Sequence, residues 1–209
     1  MAEALLIRLI EATERVIAER AREIDLLDAA IGDGDHGTNL ARGLGRLAAR
    51  RRELADRPLG VALEQAGDLL ADETGGDGGR LYGAFLRGMA AEAPVAGLPD
   101  LGALARMAEA GVAALREAGG SKVDDKTMLD VLEPVARALA TAAAEGRAEG
   151  LGSRAVAAAA YGLHRTSRLV AKHGQAAALG SASVNHLDPG AWSAALIVGA
   201  VVGVLEPPA

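Results

Sequence analysis

The sequence predicts an all-α protein that forms a single domain over residues 1–209, and three observations point to that fold class. Apolar residues recur at spacings of three and four along nearly the whole chain, and no window alternates apolar with polar residues as a half-buried strand does. The chain is 50% hydrophobic but only 2% aromatic, so its core must consist mainly of Ala, Leu and Val. Small side chains of this kind favour closely packed helices.

In the first half of the chain, three breakers separate four predicted helices. A glycine-rich loop at 32–37 ends the first helix, Arg57-Pro58 follows the second, and the glycine run 75–79 follows the third. The helices that these breakers leave are 2–30, 37–53, 59–73 and 79–93.

In the second half, the breakers are the proline pair at 94 and 99, Gly119-Gly120 and the glycines between 146 and 152. The helices that they leave are 100–118, 126–145, 152–172 and 189–205. The remaining segment, 173–188, is predicted to lack regular structure, and long segments of that kind often carry binding loops. Because the other connections are short, the eight helices are predicted to run antiparallel to their neighbours.

Charge and composition exclude several classes of partner and compartment. A net charge of −6 and few aromatic residues give neither a basic surface nor stacking platforms for nucleic acid. The longest apolar run, residues 191–205, is shorter than the roughly 20 residues that a membrane span needs, and no signal peptide begins the chain. The absence of cysteine suits a reducing compartment. We therefore predict a cytoplasmic protein without nucleic-acid or membrane partners.

Three carboxylates converge on the first glycine loop. Asp28 comes from the end of the first predicted helix, and Asp33 and Asp35 lie in the turn that follows. Three carboxylates so close together repel one another, and a divalent cation with a preference for oxygen ligands relieves that repulsion. We predict that this trio binds Mg²⁺, the alternative being that Asp33 and Asp35 are only helix caps.

Known motifs do not explain this loop. It matches the dinucleotide-binding pattern GxGxxG, but the preceding segment is helical rather than a strand, and its carboxylates would repel phosphate. An EF-hand fails at Gly37 and at Leu44, where the bidentate glutamate would stand. The chain has no Walker A sequence, and its histidines have no zinc-binding spacing. By contrast, Gly37, Thr38 and Asn39 open a helix whose free amides are predicted to attract phosphate.

Four stretches resemble one known family in order and spacing: LDAAIGDGDHGTNLARG, GGDGGRLYGAF, GGSKVDDKTMLDVLEPVARAL and LGSASVNHLDPGAWSAAL. The family is the nucleotide-binding L subunit of dihydroxyacetone kinases, and the resemblance covers almost the entire chain. It implies a barrel of eight antiparallel helices with Mg²⁺ and ADP or ATP bound at one end. It further implies a separate K subunit that holds dihydroxyacetone, with a phosphohistidine protein of the phosphotransferase system as a possible phosphate donor. Because no K-type region is present, a free-standing subunit is expected.

The resemblance also assigns site residues. It implies metal ligation by Asp28, Asp33 and Asp35, and it assigns no catalytic base. The nucleotide-binding positions that it implies are His36, Gly37, Thr38, Asn39, Asp77, Gly78, Gly119, Met128, Asp188, Pro189 and Gly190. For the stretch 126–128, an ordinary helix start capped by Asp124 or Asp125 stays open as an alternative.

Departures from the family pattern lie beside the expected phosphates. Gly78 replaces a hydroxyl residue, Asp77 adds a negative charge, and Ala182 stands where the family has an arginine. Loss of a charge-assisted contact predicts weaker phosphate binding and readier nucleotide exchange. Two other functions stay open: a nucleotide-sensing regulator with a degenerate phosphate site, and a structural helical adaptor.

Overall fold

Helices form most of the described chain, as the 3.6-residue periodicity predicts. The structure is a computed structural model that describes residues 2–206; Met1 and residues 207–209 of the predicted domain lie outside the described part. The helices are α1 Ala2–Ile31, α2 His36–Ala49, α3 Arg51–Ala55, α4 Leu59–Glu73, α5 Gly76–Ala91, α6 Leu101–Gly119, α7 Leu129–Glu145, α8 Leu151–Thr166, a 3₁₀ helix Gln175–Ser183 and α9 Pro189–Leu205. None of these helices combines the length and apolarity needed to span a lipid bilayer.

The eight long helices close into a ring. Each packs against the next along the chain, with the short α3 set between α1 and α4, and α9 returns to pack against α1. Ile17, Ile24, Leu40 and Leu129 are fully buried inside this ring. Small residues allow close helix contacts, because a side chain on Gly83 would lie 2.5 Å from the carbonyl oxygen of Gly67 on α4. The all-α barrel expected from the sequence is thereby confirmed.

The prediction of one helix over 37–53 is wrong in one respect, because the structure has two helices there, α2 and α3. At Arg50 the backbone leaves helical geometry with φ −102° and ψ 9°. The guanidinium of Arg51 donates to the carbonyl of Ala48 at 2.8 Å and to Glu11 on α1 at 2.7 Å. These contacts give a carbonyl at the end of α2 a hydrogen-bond donor and join the start of α3 to α1. Because Glu11 is distant in the chain, helical periodicity does not predict this break.

The predicted helix 126–145 begins later, at Leu129, because residues 121–128 form an irregular turn. Asp124 and Lys126 have positive φ values of 71° and 64°. The carboxylate of Asp130 accepts the backbone amides of Asp124 at 2.6 Å and Thr127 at 2.9 Å. The alternative in which Asp124 or Asp125 caps this helix is wrong, because neither carboxylate accepts an amide at the start of α7.

The predicted unstructured segment 173–188 is also wrong, and the predicted helix 152–172 ends at Thr166. Residues 167–188, which we call the strap, contain the 3₁₀ helix, kinked at Gly180 with φ 53° and ψ −126°. Backbone contacts tie the strap to the end of α8: the amide of Asn185 donates to the carbonyl of Ser167 at 2.7 Å. A 3₁₀ helix repeats every three residues, so its pattern lacks the period used to predict α helices.

Candidate functional site

A cleft of about 570 Å³ opens at one end of the barrel. It lies where the loop between α1 and α2, the start of α5, the end of α6, the turn 121–128 and the start of α9 meet. Twelve of the fourteen predicted site residues line it: Asp28, Asp33, Asp35, His36, Asn39, Asp77, Gly78, Gly119, Met128, Asp188, Pro189 and Gly190.

The acidic trio is held together by the backbone of its own loop. Asp28 is buried, and its Oδ2 accepts the amides of Gly34 at 3.0 Å, Asp35 at 3.0 Å and His36 at 3.2 Å. One ligand oxygen from each of Asp28, Asp33 and Asp35 lies within 4.8 Å of the other two. A cluster of hard carboxylate oxygens of this kind fits Mg²⁺.

Asp33 and Asp35 are exposed and face the cleft from the loop. Gln175 of the strap donates from Nε2 to Asp33 Oδ2 at 2.5 Å. That hydrogen bond is the main cause that lowers the pKa of Asp33 and keeps the carboxylate charged. The strap therefore contacts the loop that carries the acidic trio directly, which the sequence pattern did not indicate.

Gly37 and Thr38 lie outside the cleft lining, and the prediction of free amides is wrong for Thr38 and Asn39. A side chain on Gly37 would overlap the carbonyl oxygen of Ala21 on α1, so this glycine permits close helix packing. Asp25 accepts the amide of Thr38 at 3.0 Å and its hydroxyl at 2.5 Å. The amide of Asn39 is bonded within the helix to the carbonyl of Asp35. Carboxylates thus occupy much of the start of α2.

The start of α5 is the more open helix terminus. Its N-cap residue is Gly75, with φ 76°, which offers no side-chain acceptor to the amides of the first turn. Gly76 and Gly78 line the cleft, so backbone amides approach it without intervening side chains. A helix N-terminus of this kind attracts phosphate through its unpaired amides and its dipole.

His36 belongs to a buried hydrogen-bond network. Its Nε2 lies 3.0 Å from Ser193 Oγ, the Tyr82 hydroxyl lies 2.8 Å from the same oxygen, and Ser193 donates to the carbonyl of Gly190 at 3.0 Å. Because Ser193 has one proton to donate, His36 Nε2 and the Tyr82 hydroxyl are the donors to its oxygen. Burial lowers the pKa of His36, against the opposing charge of Asp28, and raises the pKa of Tyr82, so in both groups burial favours the neutral form.

The position of His36 gives a physical reason for Gly78. A side chain on Gly78 would approach the His36 ring to 2.9 Å at Cε1. A hydroxyl residue at position 78 would therefore require the imidazole to move away from Ser193. The glycine at position 78, where the family resemblance implies a hydroxyl residue, therefore leaves the room that His36 needs to contact Ser193.

Lys126 is a fully buried lysine at the back of the cleft. Its Nζ donates to the carbonyl of Thr166 at 2.6 Å and to that of His186, and so joins the end of α8 to the strap. Burial lowers the pKa of Lys126, which the charge of Asp188 partly opposes. Burial likewise raises the pKa of Asp188 to about 7, while its Oδ2 caps α9 by accepting the amide of Ala191 at 2.7 Å.

Asp125 anchors the strap from the turn 121–128. Its buried carboxylate accepts from Lys172 Nζ at 2.7 Å and lies 3.1 Å from His173 Nε2. Burial alone would raise the pKa of Asp125, but hydrogen bonds from Lys172, the Lys122 amide and His173 lower it to about 2. His173 also lines the cleft, and pattern reasoning did not single it out.

Arg80, Thr127, His173 and Gln175 line the cleft but were absent from the predicted set. Arg80 follows the glycine run directly, so its sequence position was a usable signal. Thr127 lies within a stretch that the family resemblance had already marked. His173 and Gln175 carried no local signal, because only the path of the strap brings them to the cleft.

Comparisons with known proteins agree with this geometry. The DAK2 domain model matches residues 30–203. The chain is 38% identical over 186 residues to the ADP-binding subunit DhaL of PEP-dependent dihydroxyacetone kinase 1 from Listeria innocua, covering 89% of this chain and 88% of that protein. It is 32% identical to the corresponding Escherichia coli subunit, covering 80% of each chain.

Longer kinases contain a similar region. An L-erythrulose 1-kinase of Mycolicibacterium smegmatis is 32% identical over 94% of this chain, which spans 34% of that protein. The crystal structure of the C. freundii dihydroxyacetone kinase in complex with AMP-PNP and Mg²⁺ superimposes with a TM-score of 0.73 at 26% identity. That match covers 97% of this chain and 34% of the kinase chain. With a family model matched over most of its length and close full-length relatives, the chain belongs to the DAK2 domain family.

Proposed function

We propose that this chain is the Mg²⁺-dependent, ADP- or ATP-binding subunit of a dihydroxyacetone-type kinase. The γ-phosphoryl group passes from ATP to a hydroxyl oxygen of a small keto sugar: the bond from its phosphorus to the β–γ bridging oxygen breaks, ADP remains, and the hydroxyl proton passes to a base outside this chain. Where ADP is bound, a phosphate donor first converts it to ATP. One observation carries the proposal: the cleft brings a carboxylate trio and a glycine-rich helix N-terminus together. Such a site can bind a metal ion and the phosphates that the ion neutralises.

The metal ligands in this proposal are Asp28, Asp33 and Asp35. When bound, Mg²⁺ supplies positive charge that stabilises the charge developing on the transferred phosphoryl group. Asp28 also orients the loop through its three amide contacts, which keeps the two exposed carboxylates close together. The first turn of α5 binds the phosphates, and Gly119 and Met128 contact the adenine and sugar.

The chain supplies no obvious general base for the acceptor hydroxyl. We assign that role to a separate K-type subunit, which holds the keto sugar against the open end of the cleft. The Listeria innocua and Escherichia coli relatives are subunits of PEP-dependent kinases, and a phosphohistidine protein is the proposed donor that recharges bound ADP. The proposal covers residues 1–209 as one domain with a cytoplasmic location.

A second function is favoured by one feature, the loss of hydroxyl and arginine side chains at Gly78 and Ala182. In that case the protein binds nucleotide as a regulator and transfers no phosphoryl group. A purely structural adaptor is disfavoured, because three clustered carboxylates repel one another without a cation.

Isothermal titration of ADP and ATP, with and without Mg²⁺, tests the proposal on the wild-type chain and on Asp33→Ala. Asp33 is exposed, so its replacement leaves the fold intact. The matched control is Asp72→Ala, an exposed carboxylate on α4 outside the cleft lining. Before the titrations, a separate sample of the protein is denatured by heat, and the released solution is checked for copurified nucleotide.

Mg²⁺-dependent binding that Asp33→Ala abolishes and Asp72→Ala preserves is the expected result. Addition of a K-type subunit with dihydroxyacetone and ATP then separates the two functions, since a kinase subunit yields sugar phosphate and a regulator yields none. Failure of the wild-type chain to bind either nucleotide under any of these conditions contradicts both.

A further inference from the structure

Arg80 spans the mouth of the cleft on the first turns of α5. Its guanidinium donates from Nη2 to Asp77 Oδ1 at 2.8 Å and from Nε to the same oxygen at 3.3 Å. Its Nη1 donates to the carbonyl of Ala118 at 2.6 Å, next to the end of α6. Both Arg80 and Asp77 line the cleft. One cation thus connects the phosphate side of the cleft, at the glycine run, with the predicted adenine side, at Gly119.

Arg80 is the most available cation among the described residues that line the cleft. Lys126 is buried and bonded to two carbonyls, and His173 is bonded to the buried carboxylate of Asp125. By contrast, the side chains of Arg80 and Asp77 remain 49% and 69% exposed. Exposed ion pairs three residues apart on a helix are weak, so an incoming anion can displace Asp77 from Arg80.

A nucleotide polyphosphate is the anion that fits this position. Arginine presents several N–H donors in a planar fork that suits phosphate oxygens. Arg80 stands one turn after the start of α5, but its guanidinium reaches back to Asp77 in the first turn at 2.8 Å, so a phosphate bound by the first-turn amides is close to it. Ala182, where the family resemblance implies an arginine, is exposed on the 3₁₀ helix and outside the cleft lining.

We propose that Arg80 binds the phosphates of the nucleotide in this protein, and that Asp77 holds its guanidinium at the cleft mouth until the nucleotide replaces Asp77. The inference rests on the proposed nucleotide-binding function and adds to it a residue that determines phosphate affinity. It further implies that the charge of Asp77 is not a simple repulsive defect, since Arg80 neutralises it in the free protein. The weaker phosphate binding expected from Ala182 is then offset at position 80.

The test compares binding of Mg²⁺·ADP with binding of adenosine, which has the same base and sugar but no phosphates. The variants are Arg80→Ala, Arg80→Lys and Asp77→Asn. Arg87→Ala is the matched control, because Arg87 lies on the same helix, pairs with Asp68 at 3.1 Å and is outside the cleft lining. Thermal melting of each variant establishes that it is folded before titration.

We expect Arg80→Ala to weaken Mg²⁺·ADP binding by about tenfold, as loss of one charge-assisted contact does, with adenosine binding unchanged. The Mg²⁺·ADP affinity of Arg80→Lys should lie between those of the wild-type chain and Arg80→Ala. Asp77→Asn should strengthen Mg²⁺·ADP binding, and Arg87→Ala should leave it unchanged. The dependence of ADP affinity on salt concentration is also expected to decrease in Arg80→Ala.

Equal losses for ADP and adenosine in Arg80→Ala would overturn the inference, because they would mean that Arg80 only positions Gly119 through Ala118. Unchanged ADP affinity in that variant would overturn it as well, while leaving the proposed function intact. A wild-type chain that fails to bind Mg²⁺·ADP is a different result, which removes the proposed function and this inference together.

Discussion

Asp28 accepts three loop amides in the structure and is also a proposed metal ligand, so its replacement tests loop stability separately from metal binding. Its Oδ2 accepts three backbone amides, while Asp33 and Asp35 make no comparable set of contacts within the described chain. In EDTA, where no cation is bound, Asp28→Ala should therefore destabilise the protein and Asp33→Ala should not. Both variants should lose any stabilisation that Mg²⁺ gives the wild-type chain.

The magnitude follows from opposing contributions. A hydrogen bond to a charged acceptor contributes about 1.5–3 kcal/mol, and the lower value applies here because the three amides are only partly buried. Removing Asp28 also relieves repulsion from the other two carboxylates, by a little under about 1 kcal/mol for each of the two pairs in a solvent-like dielectric. We expect a net loss of about 3 kcal/mol, which lowers the melting temperature by roughly 6–12 °C for a chain of this size.

For Asp33→Ala the two contributions nearly cancel. The variant loses the exposed hydrogen bond from Gln175 and gains relief from the repulsion of Asp28 and Asp35. Its melting temperature in EDTA should lie within about 2 °C of the wild-type value. Thermal unfolding followed by far-ultraviolet circular dichroism, in EDTA and in excess Mg²⁺, measures both effects. If the melting temperature of Asp28→Ala in EDTA equals that of the wild-type protein, the structural role assigned to this carboxylate is refuted.

Three further substitutions test other parts of the site. Gly37→Ala should destabilise the protein by about 2 kcal/mol or more in chemical denaturation, because its side chain overlaps the Ala21 carbonyl. Lys126→Met should leave the carbonyls of Thr166 and His186 without their donor and make the strap more sensitive to limited proteolysis, whereas wild-type resistance would contradict this. The pKa of Asp125 in the folded protein is lowered to about 2, so its ionised carboxylate stabilises the fold. In denaturant titrations, wild type should therefore be more stable than Asp125→Asn by the full amount above about pH 5. That difference in the free energy of unfolding should disappear as the pH falls toward 2.

Sequence reasoning located the parts of the site that are local in the chain. Asp28, Asp33 and Asp35 lie within one helix end and one turn, so their convergence follows from short-range geometry. The same holds for the glycine run before α5, whose φ of 76° at Gly75 only glycine adopts readily. The eight helices were also predictable, because periodicity and breaker positions are local properties, whereas their closure into a barrel was implied only by the family resemblance.

The errors arose where a distant residue determines the local outcome. Thr38 is at a helix start, but Asp25 from the previous helix occupies its amide and hydroxyl. The turn before α7 is held by a residue that follows it, because the carboxylate of Asp130 inside α7 accepts the backbone amides of Asp124 and Thr127. The strap acquires its structure from Asp125 and Lys126, more than 40 residues earlier.

The starts of α2 and α5, which both lie at the cleft, have opposite chemistry, and this difference explains their sequences. At α2, the carboxylates of Asp25 and Asp28 accept backbone amides, so the helix terminus orients acidic side chains that suit a cation. At α5, glycines replace capping side chains, so the terminus remains available to anions. Asp77 is the exception, since it introduces a carboxylate into the first turn of the helix that we propose binds phosphate. Its pairing with Arg80 at 2.8 Å removes that conflict and leaves the α5 side of the cleft suited to phosphate.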